Sequence, residues 1–257
     1  MNKYLIVWWK MAGVSIQSAL THRWGASLFV AGKLIRFGLF IIFLQVLHQR
    51  VNQLASYSLA QMMVFFLVFN LVDLFGQIFF RGIYWFRNKV VSGEFDFHLV
   101  KPMNALFQAL TAQTDILDVP LLVIVIAVLV TQPINLNVAG WLSLGAVLVS
   151  SLAIVTAIHI GVAALGVLTT EVDHTIMIYR DVSQMARFPV DIYTDWIRTV
   201  LTFVIPVAVA FTWPAKALMG LVSWQAVLGS VGAAGVSLVA SLKLWNYALK
   251  HYASASS

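Results

Sequence analysis

Apolar residues run along this chain in six long blocks separated by short polar interruptions. A helix needs about 20 mostly apolar residues to cross a bilayer, and stretches that meet this lie at 26–47, 58–80, 107–131, 141–168, 194–213 and 224–247. The third holds Asp115 and Asp118 near its start and Pro120 further in; the fifth is strongly apolar only from Leu201 and carries Pro206. Two more segments are amphipathic. Over 3–23, Lys3, Lys10, Gln17 and Thr21 share one helical face, and Leu5, Trp8, Trp9, Ala12, Ile16 and Leu20 another. Over 172–188, Ile178, Tyr179, Val182, Met185 and Ala186 form a stripe opposed by Asp173, Arg180, Gln184 and Arg187. Such segments suit helices lying on a membrane surface; the plainer alternative is that each extends its neighbouring span. The pattern predicts an all-α polytopic membrane protein of about six transmembrane helices, one domain over 1–257. It has an N-terminal interfacial helix over 1–24, a central loop over 81–106 and an amphipathic surface segment over 170–193.

Composition agrees. The 257 residues are 61% hydrophobic and 10% charged, with a mean hydropathy of +0.89. A soluble domain carries about a quarter charged residues, so this chain lacks the polar surface to cover a globule. The absence of cysteine removes disulfides, thiolate metal sites and a cysteine nucleophile. Lys10 interrupts the first apolar run and no small-residue cleavage site follows it, unlike a signal peptide. The net charge of +6 is spread over span ends and forms no nucleic-acid patch. With the N-terminus in the cytoplasm, Lys3, Lys10, Arg23, Arg81, Arg87, Lys89, Lys101, Arg180, Arg187, Arg198, Lys243 and Lys250 fall inside, and Arg50 and Lys216 outside. By the positive-inside rule both termini are then cytoplasmic, as is the 170–193 segment.

The central loop reads RGIYWFRNKVVSGEFDFHLVKPMNALFQAL. Gly93 breaks the preceding helical pattern. Glu94 then starts a short segment with apolar Phe95, Phe97, Leu99 and Val100, and Pro102 begins the approach to the next span. Either this is an ordinary loop dipping into the headgroups, or it is a docking surface for a soluble partner. VSGEFDFHLVKPMNALFQAL resembles the signature that follows the second span in permeases of the ABC-2 class of ABC exporters: glycine, acid, apolar residue and Asp, then Leu, a basic residue and Pro. A second block, RFPVDIYTDWIRTVLTFVIPVAVAFTWPAKALMG at 187–220, is similar to the family's Phe-Pro, Ile-Pro and Pro-Ala run around its fifth span. The resemblance covers nearly the whole chain and is weakest at the N-terminus, where Lys33 and Arg36 inside the first span depart from it.

The resemblance implies a dimer of permease chains, identical or paralogous, in a bacterial inner membrane. A separate ATP-binding cassette ATPase, holding ATP and Mg, docks on a cytoplasmic coupling helix between spans two and three and drives export. By position, Gly93, Glu94, Phe95, Asp96, Phe97, Leu99, Lys101 and Pro102 form the coupling stretch, with Phe95 or Phe97 filling an apolar cleft of the ATPase. The family also carries a short re-entrant helical pair after its fifth span, for which 214–222 is a brief stretch. The residues add that no GxxxxGK[ST] phosphate loop is present, so this chain should bind no ATP itself.

Charges inside the spans bear on function separately. Lys33, Arg36, Asp73, Asp115 and Asp118 lie at similar depth toward the cytoplasmic side. Charge in a bilayer centre costs about 2.5–3.5 kcal/mol on insertion scales, so an ion-pair network is expected, joining Asp73 to Lys33 or Arg36 with Asp115 or Asp118 assisting. The alternative is that Lys33 and Arg36 snorkel to the headgroups. If these charges line a vestibule or proton path, the chain is instead a secondary transporter or channel using Lys33, Arg36 and Asp73. His159 stands alone in the fourth span and reads as a packing residue. Glu171, Asp173 and His174 in EVDHT form a short polar turn, and no metal site is assigned. Gly229, Ala233, Ser237 and Ser241, at four-residue steps, predict a close-packed face on the last span.

Overall fold

The computed structural model describes residues 3–51, 56–169 and 175–253, and Glu171, Asp173 and His174 lie outside them. Those residues form helices with no strand among them. Four helices are long and apolar enough to cross a membrane, or up to six if each of two bent pairs counts as one span. Helix α1 (Lys3–Thr21) precedes the first span, α2 (Arg23–Arg50), and α3 (Leu59–Phe80) runs back as the second. A reciprocal capping box starts α3: Ser58 Oγ accepts from Gln61 N and Gln61 Oε1 accepts from Ser58 N. Helix α4 (Ile83–Val91) continues α3 past a turn at Gly82. There a side-chain Cβ would lie 3.0 Å from Ala109 O and from Ala112 Cβ, so glycine lets the next helix pack onto the junction.

The third span is broken. Helix α6 (Ala105–Thr111), capped by Asn104, ends in a turn and a 3-10 segment at Ile116–Asp118 before α7 (Val119–Val130), with a bend of 48°. Pro120 opens α7, where its missing N–H costs nothing. The break turns Asp115 and Asp118 toward α2. Helix α8 (Val138–Leu168), capped by Asn137, is the fourth span, and α12 (Trp224–Lys250), capped by Ser223, is the last and packs along α8.

The fifth span differs from the sequence expectation. Helix α9 (Thr175–Gln184) with the 3-10 turns Met185–Arg187 and Val190–Ile192 does not lie on a surface. Ile176, Tyr179, Ser183, Ala186 and Val190 are buried. Along this segment Tyr179 packs on His159, Arg187 sits over Phe40 and Phe69, Phe188 meets Phe43, and Asp191 accepts from Tyr57 OH, just before α3 begins. The segment therefore climbs the bundle from one face to the other; at about 1.5 Å per helical and 2 Å per 3-10 residue its length matches a ~30 Å bilayer core. Of its polar stripe, Arg180, Gln184 and Arg187 line a cavity in the bundle rather than facing headgroups.

The block at 194–213 is correspondingly no span. Two arms, Asp195–Val204 and Ala208–Leu218, meet at 84° around Ile205 and Pro206. Both return to Asp191: Arg198 donates to its carbonyl at 3.0 Å and Lys216 pairs with its carboxylate at 2.7 Å. Arms that meet one residue at both ends do not cross the membrane, so 195–218 is a re-entrant pair, longer than 214–222 and starting earlier. Its tip, with Phe203 and Val204, is apolar and exposed. Arg198 thus joins Lys216 on the face opposite the 92–102 loop, and Arg180 and Arg187 move inside the bundle. The six crossings are α2, α3–α4, α6–α7, α8, α9 with its 3-10 turns, and α12.

The small-residue face of α12 is also rotated. Ser230, Ala234, Ser241, Trp245 and Ala248 are buried. Gly229 is exposed beside Trp213, and Ala233 and Ser237 are half-buried. Strict four-residue steps drift about 40° per step around a helix of 3.6 residues per turn, so a seam must alternate steps of three and four.

Candidate functional site

Two regions carry chemistry: the 92–102 turn and a charged cavity in the half of the bundle nearest to it. The turn is built on Gly93, whose φ of 78° is left-handed and suits glycine. It reverses the chain after α4 so that Phe95 N donates to Lys89 O at 3.0 Å. One helical turn, α5 (Asp96–Leu99), follows. Buried Gln108 donates to the carbonyls of His98 and Met103 and clamps the turn to α6; Lys3 of α1 reaches Pro102 O at 3.3 Å.

The predicted coupling residues divide sharply. Phe95 is fully buried, its ring against Phe86, His98, Trp245 and Tyr252. It anchors the turn to α4 and the end of α12, so the expectation that Phe95 fills a partner's cleft is corrected. Asp96 accepts from Tyr252 OH at 2.9 Å. Burial and this carboxylate push the Tyr252 hydroxyl up to about 12. Burial, with Lys89 and Lys101 nearby, holds the His98 imidazole below its usual range. Phe97, Leu99 and Val100 are exposed, Phe97 by 67% and Val100 by 80%. Glu94, Lys101 and Pro102 are exposed beside them. Glu94 also edges a shallow groove with Trp85, Asn88, Lys89, Ser92 and Gln113. Sequence spacing gave no sign of Trp245 and Tyr252 as the anchor, since they lie some 150 residues away in the chain.

The cavity, about 320 Å³, lies between α2, α3, the α7 start and α9. Lys33 pairs with Asp118 and, at 3.7 Å, with Asp115; Arg81 also reaches Asp115 at 3.7 Å. Arg81 in turn donates to Gln77, which donates to Tyr84 OH. Burying one such charge alone is costly, and each member relieves another. Asp73 takes no part in these pairs. The cations that act on it are Arg180, Arg187 and Arg36, of which only Arg36 was a candidate from the sequence. Arg180 and Arg187 were hidden because α9 read as a surface helix. His159, at the core end of this region, bonds Val155 O through Nδ1 and packs on Phe80, a packing role. Among the described residues no group of three metal-ligating side chains occurs.

A bundle of six crossings, a turn presented at one end and a polar cavity inside are the parts of a transport subunit. A family model described as an ABC-2 family transporter protein matches residues 34–256. This chain belongs to the ABC-2 transporter family. As such it is a multi-pass membrane protein and the permease component of an ABC transporter, a family that works with an ATP-binding subunit. Comparisons with curated proteins and with solved structures gave no significant match. The match begins after Lys33.

Proposed function

We propose that this permease forms the substrate pathway of an ATP-driven exporter, as a dimer with a second permease chain in a bacterial inner membrane. Its energy comes from a separate ATPase that holds ATP and Mg and docks on the 92–102 turn. The observation that carries this is the division of the turn. Phe95 locks it to two helices, while Phe97, Leu99 and Val100 stand exposed on a face ringed by Glu94, Lys89 and Lys101. A lone chain gains nothing from holding three large apolar side chains in water, and a rigidly seated apolar patch with a charged rim fits a protein partner. Support for the dimer comes from α2, which buries only Phe37 and Leu44 along 28 residues. The reading of both termini as cytoplasmic is supported by Lys3, Lys10, Arg81, Arg87, Lys89, Lys101, Lys243 and Lys250 toward the turn's end of the bundle.

The test is purification of the tagged protein from its native membrane in mild detergent, with partners identified by mass. An ATPase should co-purify with the wild type and be lost with Phe97→Ser plus Val100→Ser, while α-helix content and elution volume stay unchanged. A chain that purifies alone and transports under an ion gradient overturns the proposal in favour of a secondary transporter.

A further inference from the structure

The charges lining the cavity do not balance. Of its five cations, Lys33 and Arg81 have carboxylate partners in Asp118 and Asp115. The other three, Arg36, Arg180 and Arg187, have only Asp73 among the cavity's lining acids. Arg187 has Arg36 and Arg180 as like-charged neighbours and Asp73 as the opposing charge. Among the described residues the excess is two positive charges, held at membrane depth where uncompensated charge is expensive and marks function. Beside the guanidinium groups the wall is apolar: Leu28, Phe29, Phe37, Phe40, Phe66 and Leu121. The volume, about 320 Å³, suits a head group with a few carbons of its tail.

We propose that this cavity binds an anionic amphiphile, a phosphate or carboxylate head group on an apolar chain, with the head group on Arg36, Arg180 and Arg187. Guanidinium forks match both oxyanions in two-point hydrogen bonds, and the apolar wall beside them suits the tail. Asp73 keeps the arginines apart from total mutual repulsion when no ligand is bound, and it opposes the head group, so the site releases as well as binds. As an assignment of cargo this rests on the exporter reading above; as a binding site it does not need it.

The test uses the full-length protein in phosphatidylcholine nanodiscs, titrated with dodecyl phosphate or dodecyltrimethylammonium, with empty discs subtracted. Saturable binding of dodecyl phosphate alone is expected, weakened by at least about tenfold in Arg180→Gln and in Arg187→Gln. The unliganded variants should keep the wild-type helix content and elution volume, so that lost binding is read on a folded protein. If either variant fails to fold, Asp73→Asn serves instead and should bind dodecyl phosphate more tightly. Phosphatidylglycerol in the discs separates two sources of the same head group: displacement of dodecyl phosphate assigns a bilayer lipid, and lack of displacement a separate cargo. Equal binding of both amphiphiles, or unchanged binding in the variants, overturns the proposal. No ATPase enters the measurement, so failure of the exporter reading shows itself only in the purification experiment.

Discussion

Phe95 and Phe97 stand two residues apart, and the structure gives them opposite jobs. Phe95 has no exposed surface, and its ring meets Phe86 at 5.2 Å and Tyr252 at 5.2 Å, both edge-on. The site lies beyond the ends of the spans, so its unfolded reference is water and soluble-core energetics apply. Phe95→Ala should then cost about 3–5 kcal/mol, the transfer term plus the cavity left among four rings. Phe97→Ala removes a side chain 67% exposed and should stay within about 0.5 kcal/mol. The assay is thermal unfolding of each variant in detergent beside ATPase co-purification. Phe95→Ala should lose both stability and docking, because the turn detaches from α12. Phe97→Ala should keep its melting temperature and lose docking alone. Equal melting temperatures for the two variants would refute the assignment of Phe95 as anchor, and docking retained by Phe97→Ala would refute the exposed patch as the partner's contact.

Removing the Asp118 charge by Asp118→Asn leaves Lys33 with only the longer contact to Asp115 and should destabilise by about 3–5 kcal/mol, while Lys33→Met with Asp118→Leu recovers most of it; melting temperatures of the two variants beside the wild type decide. Tyr252→Phe deletes a hydrogen bond to the Asp96 carboxylate and should cost about 1.5–3 kcal/mol. Because the Tyr252 hydroxyl is raised to about 12 from 10.0, its contribution is complete below pH 10 and is lost as pH rises through 12, which tyrosinate absorbance reads directly. His98, depressed below 6.5 by burial and two lysines, favours the folded turn above that pH and weakens it as pH falls through its lowered value. ATPase docking should therefore decline in mild acid for the wild type and not for His98→Gln. Asp191→Asn weakens its bond to Lys216 and should loosen the re-entrant pair, read as faster hydrogen exchange over 195–218 with unchanged exchange in α8.

Apolar blocks were enough to read five of the crossings: α2, α3, α8 and α12 are apolar over most of their length, and the bent α6–α7 falls within the 107–131 block. The fifth in chain order was misread for a physical reason. Hydropathy treats Arg180, Gln184 and Arg187 as groups that must reach water, whereas here they line a cavity. The re-entrant arms satisfied the apolar test because their tip is apolar although the pair turns back at 84°. The division of the 92–102 turn was similarly invisible: Phe95 and Phe97 are one residue type at one spacing, and only the long-range arrival of Trp245 and Tyr252 tells them apart. Lys33, Asp115 and Asp118 were found because charge at membrane depth demands a partner whatever the fold. The same rule pointed at Asp73 and Arg36 but missed Arg180 and Arg187, since those lay on a segment assigned to the surface.

The geometry also joins the docking end to the cavity through covalent chain on both sides of one short turn. Before it, α3 carries Asp73 and Gln77, with Arg81 at the α3–α4 junction; after it, Asp115 follows α6 and Asp118 ends the 3-10 segment. Arg81 and Asp115 close the circuit at 3.7 Å across the Gly82 contact, where α6 sits too close for any side chain. A load applied to the turn would be borne by these two helices together. If it tilts them relative to each other, the Arg81–Asp115–Lys33 contacts stretch first, because they bridge the pair and extend it to α2. Lys33 lies one helical turn from Arg36, so a shift of α2 that follows those contacts also moves a head-group arginine. Two charge groups with different partners, a balanced one that ties the helices and an unbalanced one that faces the cavity, thus share α2 as their common element.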